Sequence, residues 1–298
     1  MESTGVYHEQ LAWYLYQQDQ AVSILLPNKA KHYLMSLGHK SKNDQMDALG
    51  LARMGLEQQL PLWQPLSKNI YQLRLLTRQH QRLQELKTQS LNQQHALAAS
   101  QFTDLFIVRQ IDQLIKLYDQ QLAHIKDAIE TLLEQDEPLK VKVARLTAIK
   151  GLGLLSVATL VAETNGFTGF DNQGQLVSYA GYDVVENQSG KRVGKTRISK
   201  KGNSRIRRIL HMPALNAVRY KEPTCQALYQ RVMERSGIKM KAYVAVQKKR
   251  LILAFALWNN DTEYDPNYRE KQDKKIVPTS GTTQDEAAEA NLSVVGQS

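Results

Sequence analysis

Cysteine is almost missing from this chain: Cys225 is the only one in 298 residues. That excludes a disulfide framework and a cysteine-built metal cluster, and it fits a reducing cytosol. Long apolar runs are missing too. No stretch approaches the ~20 apolar residues that a membrane-spanning helix needs, so no membrane partner is expected. The opening M-E-S-T-G-V-Y-H has neither the basic nor the apolar region of a signal peptide, and a cytoplasmic protein is expected. The most informative absence is local. Residues 189–221 contain no Asp or Glu. The cations there are Lys191, Arg192, Lys195, Arg197, Lys200, Lys201, Arg205, Arg207, Arg208, Arg219 and Lys221. Such a one-signed surface repels itself unless a polyanion neutralises it, and each phosphate contact releases condensed counterions. Nucleic acid is the first partner to expect.

The whole chain carries a formal net charge of +10. The tail beyond Asn259 is acidic on balance, so the body is more basic than the total suggests. This length suits about two domains, and the 42% of hydrophobic residues can fill a core. Residues 6–16 have helical spacing, and the short apolar run 21–26 stops at Pro27 as a buried strand would. Asn28 is placed to cap a helix reaching Gly38, and a further helix covers 44–54. These elements predict an α/β domain over 1–62. It is incomplete, because one strand cannot make a sheet. A helical arm is expected over 63–137. In its second half Ile111, Ile115, Tyr118, Leu122, Ile125, Ile129 and Leu132 alternate four and three apart, as a heptad seam does. The seam suits either a helical hairpin burying its own stripe or a coiled coil between chains.

From Leu146 the chain reads L-T-A-I-K-G-L-G-L-L-S-V-A-T-L. Two apolar helices around a G-x-G turn make a helix-hairpin-helix pattern, in which Gly151 and Gly153 let backbone amides face a phosphate at a helix N-terminus. A plain helical hairpin in the core is the simpler reading. A helix capped by Asp171 is expected to run to Tyr179. A loop or hairpin follows over 181–202, then a basic helix from Asn203 to Tyr220, and a last core helix over 239–258. The tail, 259–298, is polar and poor in aromatics, and disorder is expected there.

Candidate chemistry is sparse. Asp44 and Asp47 are three apart, which puts both carboxylates on one helical face. Mg²⁺ accepts one or two carboxylates together with water and phosphate oxygens, although acids in a first helical turn also favour the macrodipole without any metal. Glu2 alone reads as a solvated residue. Ser189, followed by Gly190, opens the cationic loop and is the candidate nucleophile. A serine needs a base or a metal to activate it, and no neighbouring histidine offers one. N-Q-S-G is equally an ordinary turn sequence. Ser199 and Ser204 suit backbone roles. Arg205, Arg207 and Arg208 suit a grip on phosphates through paired hydrogen bonds. Tyr179, Tyr182 and Tyr220 could stack on bases or pack in a core. His8, His32, His39 and His211 fit no metal-ligand spacing.

Taken in order, M-E-S-T-G-V-Y-H, K-x-D-x-x-D-A, I-K-G-L-G-x-x-x-A, Y-A-G-Y with Q-S-G, and R-I-S-K-K-G-N-S-R-I-R-R-I-L resemble the DEDD transposases of bacterial insertion-sequence family 110 and the related Piv-type DNA invertases. The resemblance covers roughly residues 1–258. It implies a mainly α protein with an α/β part: an incomplete RuvC-type, RNase H-like N-terminal domain, a helical coiled-coil arm, and a transposase domain over 138–258 containing the helix-hairpin-helix. It implies a Mg²⁺ site to which Glu2, Asp44 and Asp47 contribute. It also implies a serine nucleophile, matched to Ser189, that cuts and rejoins DNA strands through a covalent phosphoserine. The partners it implies are DNA, an element-encoded guide RNA and further copies of the chain in a dimer or tetramer, in a bacterial, nucleoid-associated setting. The family's first aspartate lies on a strand upstream of the glutamate, whereas this sequence opens at the glutamate. A truncated, poorly active chain, or a start further upstream, is therefore expected. Two other readings stay open: a non-catalytic DNA- or RNA-binding remnant and a RuvC-type structure-specific nuclease.

Overall fold

The structure, a computed structural model, describes residues 1–3, 5–38, 43–186, 188–189, 192–194 and 196–265. It divides into two compact units, Met1–Gln72 and Leu73–Ser298. Among the described residues helices dominate, and the strands are two residues long each.

The first unit is built on α1 (Glu9–Gln17), α2 (Pro27–Ser36) and α3 (Asp44–Glu57). Pro27 occupies the first turn of α2, where its missing N–H is no loss and its fixed φ suits the helix. That is why α2 starts at Pro27 rather than at a cap on Asn28. Asn43 caps α3 by accepting from the Met46 amide at 2.8 Å. The expected strand is present only as an extended segment. The Leu25 amide donates to the Met1 carbonyl at 2.9 Å and the Ser3 amide to the Leu25 carbonyl at 2.9 Å, with Glu2 and Leu25 forming a parallel bridge. On the same segment Val22 accepts from the Trp63 amide at 2.7 Å. Trp13, Tyr16 and Trp63 close an edge-to-face cluster, with Trp13 and Trp63 at 5.6 Å and 89°.

The helix α4 (Lys68–Ala98) begins in the first unit and continues in the second. In the second unit it runs antiparallel to α5 (Leu105–Glu134). Lys87 pairs with Asp119, and Gln94 donates to Asp112 at 2.5 Å. Asp104 caps α5. Of the heptad positions, Ile111, Ile129 and Leu132 are buried, while Ile115, Tyr118, Leu122 and Ile125 are half-buried. A short turn leads to α6 (Glu137–Thr147), capped by Asp136, and then to α7 (Leu154–Thr164), which is buried along most of its length. Next comes α8 (Gln173–Tyr179). Its cap is Asn172, whose side chain accepts from the Gln175 backbone N–H at 3.0 Å, while the neighbouring Asp171 carboxylate accepts from the Gln175 side-chain Nε2 at 3.1 Å.

The region expected as loop or hairpin is a hairpin. Strands β1 (Val184–Val185) and β4 (Arg197–Ile198) pair antiparallel, and β2 (Gln188–Ser189) and β3 (Arg192–Val193) pair antiparallel nearer the tip. The single basic helix expected from Asn203 to Tyr220 is two helices, α9 (Ser204–Ile209) and α10 (His211–Arg219), with Leu210 at the joint. Pro213 explains the break. It has no N–H to bond the Ile209 carbonyl, and its ring crowds that carbonyl in a continuous helix. An unforeseen helix, α11 (Pro223–Ser236), is capped by Glu222 and ends on Gly237 in the left-handed region. The last helix, α12 (Lys239–Asn260), packs through the centre of the unit, burying Val246, Leu251, Ala254, Phe255 and Trp258. The tail expected to be disordered lies, from residue 266 on, outside the described residues. Among the described residues, no helix is long and apolar enough to cross a membrane.

Candidate nucleic-acid interface

Ser189 lies at the end of β2, in register with Arg192 across the hairpin and next to its tip. Gly190, Lys191 and Lys195 lie outside the described residues, as do the side chains of Ser189 and Arg192. What can be followed is how the hairpin is anchored. At its base the Ser199 amide donates to the Asp183 carbonyl at 2.8 Å, and the Ser199 hydroxyl donates to the Asp183 carboxylate at 2.5 Å. The same hydroxyl accepts from the Lys201 amide at 3.2 Å. Ser199 thus holds the hairpin's root. The Asn203 amide donates to the Tyr179 carbonyl at 2.7 Å, and this close approach requires glycine at 202. A Cβ there would stand 2.4 Å from the Tyr179 carbonyl oxygen.

Three arginines follow on α9, and each has an internal partner. Arg207 donates to the Ala180 carbonyl at 2.8 Å, Arg208 pairs with Glu85 of α4, and Arg205 lies 3.9 Å from Glu163. Arg207 and Arg208 are therefore tethered cations, and Arg205 lies beside a buried carboxylate without a hydrogen bond from its Nε. Arg197, Lys200 and Lys201 are exposed and have no side-chain ion pair among the described residues. Those three can meet a phosphate without breaking an internal bond.

The organising group is Glu163, which the sequence reading passed over. It sits at the end of an apolar helix with its side chain 1% exposed. Arg78 donates to it twice, at 2.8 and 3.1 Å, and Asn203 donates at 2.8 Å. Burial works to raise the Glu163 carboxyl. The hydrogen bonds from Arg78 and Asn203 and the nearby positive charges outweigh it, so the group lies below the usual carboxylate range. Asn203 spends its other end capping α9, accepting from the Arg205 amide at 3.0 Å. Tyr179 donates to the Glu163 carbonyl at 2.9 Å. One buried acid thus ties α4, α7, α8 and the start of α9 together. A lone glutamate inside L-V-A-E-T was the available signal.

The G-x-G turn between α6 and α7 is fixed from beneath. Ile149 and Leu152 are buried, while Gly151 and Gly153 are exposed. Gly151 has φ +88, which favours glycine. The buried Arg250 of α12 donates to the Lys150 carbonyl. Gly153 takes the N-cap position of α7, so the first amides of that helix stand beside two exposed glycines. Tyr182 does not stack on a base, because it is buried and donates to Gln247 at 2.8 Å. Tyr220 is exposed.

In the first unit, Asp44 and Asp47 share the first turn of α3, where the helix dipole favours them. Glu2 lies on the extended N-terminal segment. Among the described residues no group of three or more His, Cys, Asp and Glu side chains is close enough to hold a metal ion. Two carboxylates at the spacing of Asp44 and Asp47 do fit the donor chemistry of a hard divalent cation that keeps several waters. Glu2 does not join them in a ready-made cage.

Comparison with known proteins settles the kind of chemistry. The transposase IS116/IS110/IS902 family matches residues 143–230, which hold the G-x-G turn, the hairpin and α9. A DEDD transposase family of the IS110 type matches residues 1–103, which hold the three acids. The chain belongs to the IS110 transposase family. It is 27% identical over 271 residues to the pilin gene-inverting protein of Moraxella lacunata, across 91% of this chain and 82% of that one. The Moraxella bovis pilin gene-inverting protein matches to the same extent. A 43.6 kDa protein of insertion element IS110 from Streptomyces coelicolor is 25% identical over 162 residues, 54% of this chain and 38% of that one. This transposase is accordingly an enzyme that acts on DNA, in transposition or recombination. DEDD transposases depend on divalent metal.

Proposed function

We propose that this transposase cuts and rejoins DNA strands with Ser189 as the nucleophile. The observation that carries the reading is the place of Ser189 beside the tip of a hairpin, inside a 33-residue stretch with eleven cations and no acid. The Ser189 oxygen attacks a backbone phosphorus. A serine phosphodiester forms as the bond to the leaving sugar oxygen breaks, and that oxygen takes up a proton. The hydroxyl of a second strand then attacks the same phosphorus, and Ser189 leaves with its proton restored. One phosphodiester replaces another, so no external energy source is needed. Asp44 and Asp47, with Glu2 as a third donor, are the residues that would hold Mg²⁺. The ion would neutralise charge on the phosphate and lower the pKa of an attacking hydroxyl.

Around that centre the other roles follow from charge and geometry. Lys191, Arg192, Lys195, Arg197, Lys200 and Lys201 track the sugar-phosphate backbone. Arg205 and the tethered Arg207 and Arg208 present guanidinium groups, and the amides at Gly151 and Gly153 receive a phosphate as a helix-hairpin-helix does. Residues 1–62 form part of a RuvC-like fold. The α4–α5 arm assembles a dimer or tetramer by coiled-coil pairing, bringing the serine of one chain to the acids of another. A guide RNA encoded by the element, and association with the nucleoid, complete the reading. The test is strand exchange on paired DNA sites. Ser189→Ala and Asp44→Asn should each reduce exchange by at least ~10³-fold while DNA affinity stays within threefold. Retained exchange in Ser189→Ala would refute the serine mechanism. A second reading, a DNA- or RNA-binding protein without catalysis, is favoured by the lack of a three-acid cluster among the described residues. It predicts no exchange by the unaltered chain.

A further inference from the structure

The second unit contains a cleft of about 830 Å³ that the strand-exchange reading leaves unused. Its walls come from α4, α7, β4 with the residue run after it, α9, α10 and α12. The apolar part of the lining, its floor, includes Leu155, Ile209 and Val244, and the exposed Met212 borders it. The rim carries Lys200, Arg205, Arg207 and Arg208, and no Asp or Glu lines the cleft. A surface that only follows a duplex backbone needs exposed cations. It has no use for a concave apolar floor beneath them. A free inorganic phosphate would leave that floor empty. The combination suits a ligand with one flat apolar part and one anionic part.

We infer that this cleft takes a single nucleotide unstacked from a nucleic-acid strand, its base on the apolar floor and its phosphate at the arginine rim. The volume is in the ~300–1,000 Å³ range of pockets that enclose compact organic ligands. Enzymes that expose a base commonly hold it in such a pocket, between apolar walls, and read its edge with polar side chains. Those side chains are present here. Gln84 projects from α4, Gln81 keeps its amide oxygen while its nitrogen donates to Glu85 at 2.9 Å, and the imidazoles of His80 and His211 offer flat faces. Burial lowers the His80 pKa, which keeps its ring neutral and able to lie against a base. The far wall is rigid. Gln247 is fixed at both ends, accepting from Tyr182 at 2.8 Å and meeting His211 Nδ1 at 3.1 Å. Part of the rim is pre-oriented as well, because Arg208 is paired with Glu85, while Arg205 stands 3.9 Å from Glu163. A phosphate therefore meets guanidinium groups of which Arg207, donating to the Ala180 carbonyl at 2.8 Å, and Arg208 are already held in place.

This inference rests on the reading that the basic face binds nucleic acid, and the test separates the two. The full chain is bound to DNA strands, and in a parallel arm to RNA strands of the same sequence, each carrying 2-aminopurine at one position along the site. Binding is followed by anisotropy and unstacking by 2-aminopurine fluorescence. The expected result is a several-fold rise at one position, in the DNA arm or the RNA arm, which identifies the source of the nucleotide. Ser156→Leu and Val244→Met fill the cleft without adding an aromatic ring. They should remove most of that rise with affinity changed by less than threefold. A 4-thio base at the same position should crosslink to the cleft, at Met212 or Met240, in the unaltered chain. Tight binding with no unstacked position, or crosslinks confined to residues outside the cleft, would overturn the inference and leave the basic face intact. Absence of any binding would overturn both.

Discussion

At Glu163 the balance of burial and pairing decides how the interface holds its shape. An isolated buried carboxylate would be protonated. This one stays ionised because Arg78 grips it with two hydrogen bonds and Asn203 adds a third. Replacing Glu163 by Gln removes the charge and leaves Arg78 with a weaker acceptor. Loss of one partner from a buried pair costs several kcal/mol, but Arg78 is 42% exposed and water screens part of that. A destabilisation of about 2 kcal/mol is expected at neutral pH. Because the folded carboxyl lies below its unfolded value, its contribution is fully present above the unfolded pKa of ~4.3 and fades as pH falls through the lower, folded value. Urea titrations of both proteins should therefore differ at pH 7 and converge as the pH drops below about 4. A difference independent of pH would deny the ionised role.

At the scale of elements, the root of the hairpin sets the position of Ser189. Gly202 lies so close to Tyr179 that a side chain there must displace backbone. Gly202→Ala is expected to lower stability by about 1–3 kcal/mol, measured by the denaturation midpoint, and to impair exchange more than DNA binding. An unchanged midpoint would show that the root can yield. Several elements were legible in the sequence because their determinants are local. The Asn203 cap, the heptad seam of α5, the G-x-G turn and the span of α12 all follow from spacing over a few residues. The α9–α10 break was local too, through Pro213, yet the basic face ran unbroken across it and masked it. The start of α8 moved by one residue because Asp171 and Asn172 are both competent caps and only one can take the Gln175 amide. What stayed hidden depends on distant pairing. Arg78 with Glu163 and Arg250 with Lys150 join residues 85 and 100 apart. In the site, the acid-free stretch was plain, but the tethering of Arg207 to a carbonyl and of Arg208 to an acid was not. Charge in a sequence does not show which cations are already satisfied.

At the scale of the whole molecule, a body with more cations than the net charge of +10 suggests meets a polyanion. The exposed lysines and the tethered arginines should then separate in experiment. Lys200→Ala and Lys201→Ala each remove a free cation. Each should weaken DNA binding about equally across sequences and flatten the salt dependence of log K by about 1. Arg207→Ala should instead lower stability, since Arg207 holds the Ala180 carbonyl. A salt slope that neither lysine variant changes would remove those residues from the phosphate path.

The central claim, a covalent bond between Ser189 and a DNA phosphorus during exchange, can be measured directly. The full chain is incubated with Mg²⁺ and paired DNA sites, quenched in denaturant, digested with nuclease and protease, and analysed by mass spectrometry. The account predicts a nucleotide adduct on the peptide containing Ser189, absent in Ser189→Ala. Efficient strand exchange with no adduct, or an adduct that persists in Ser189→Ala, would contradict it.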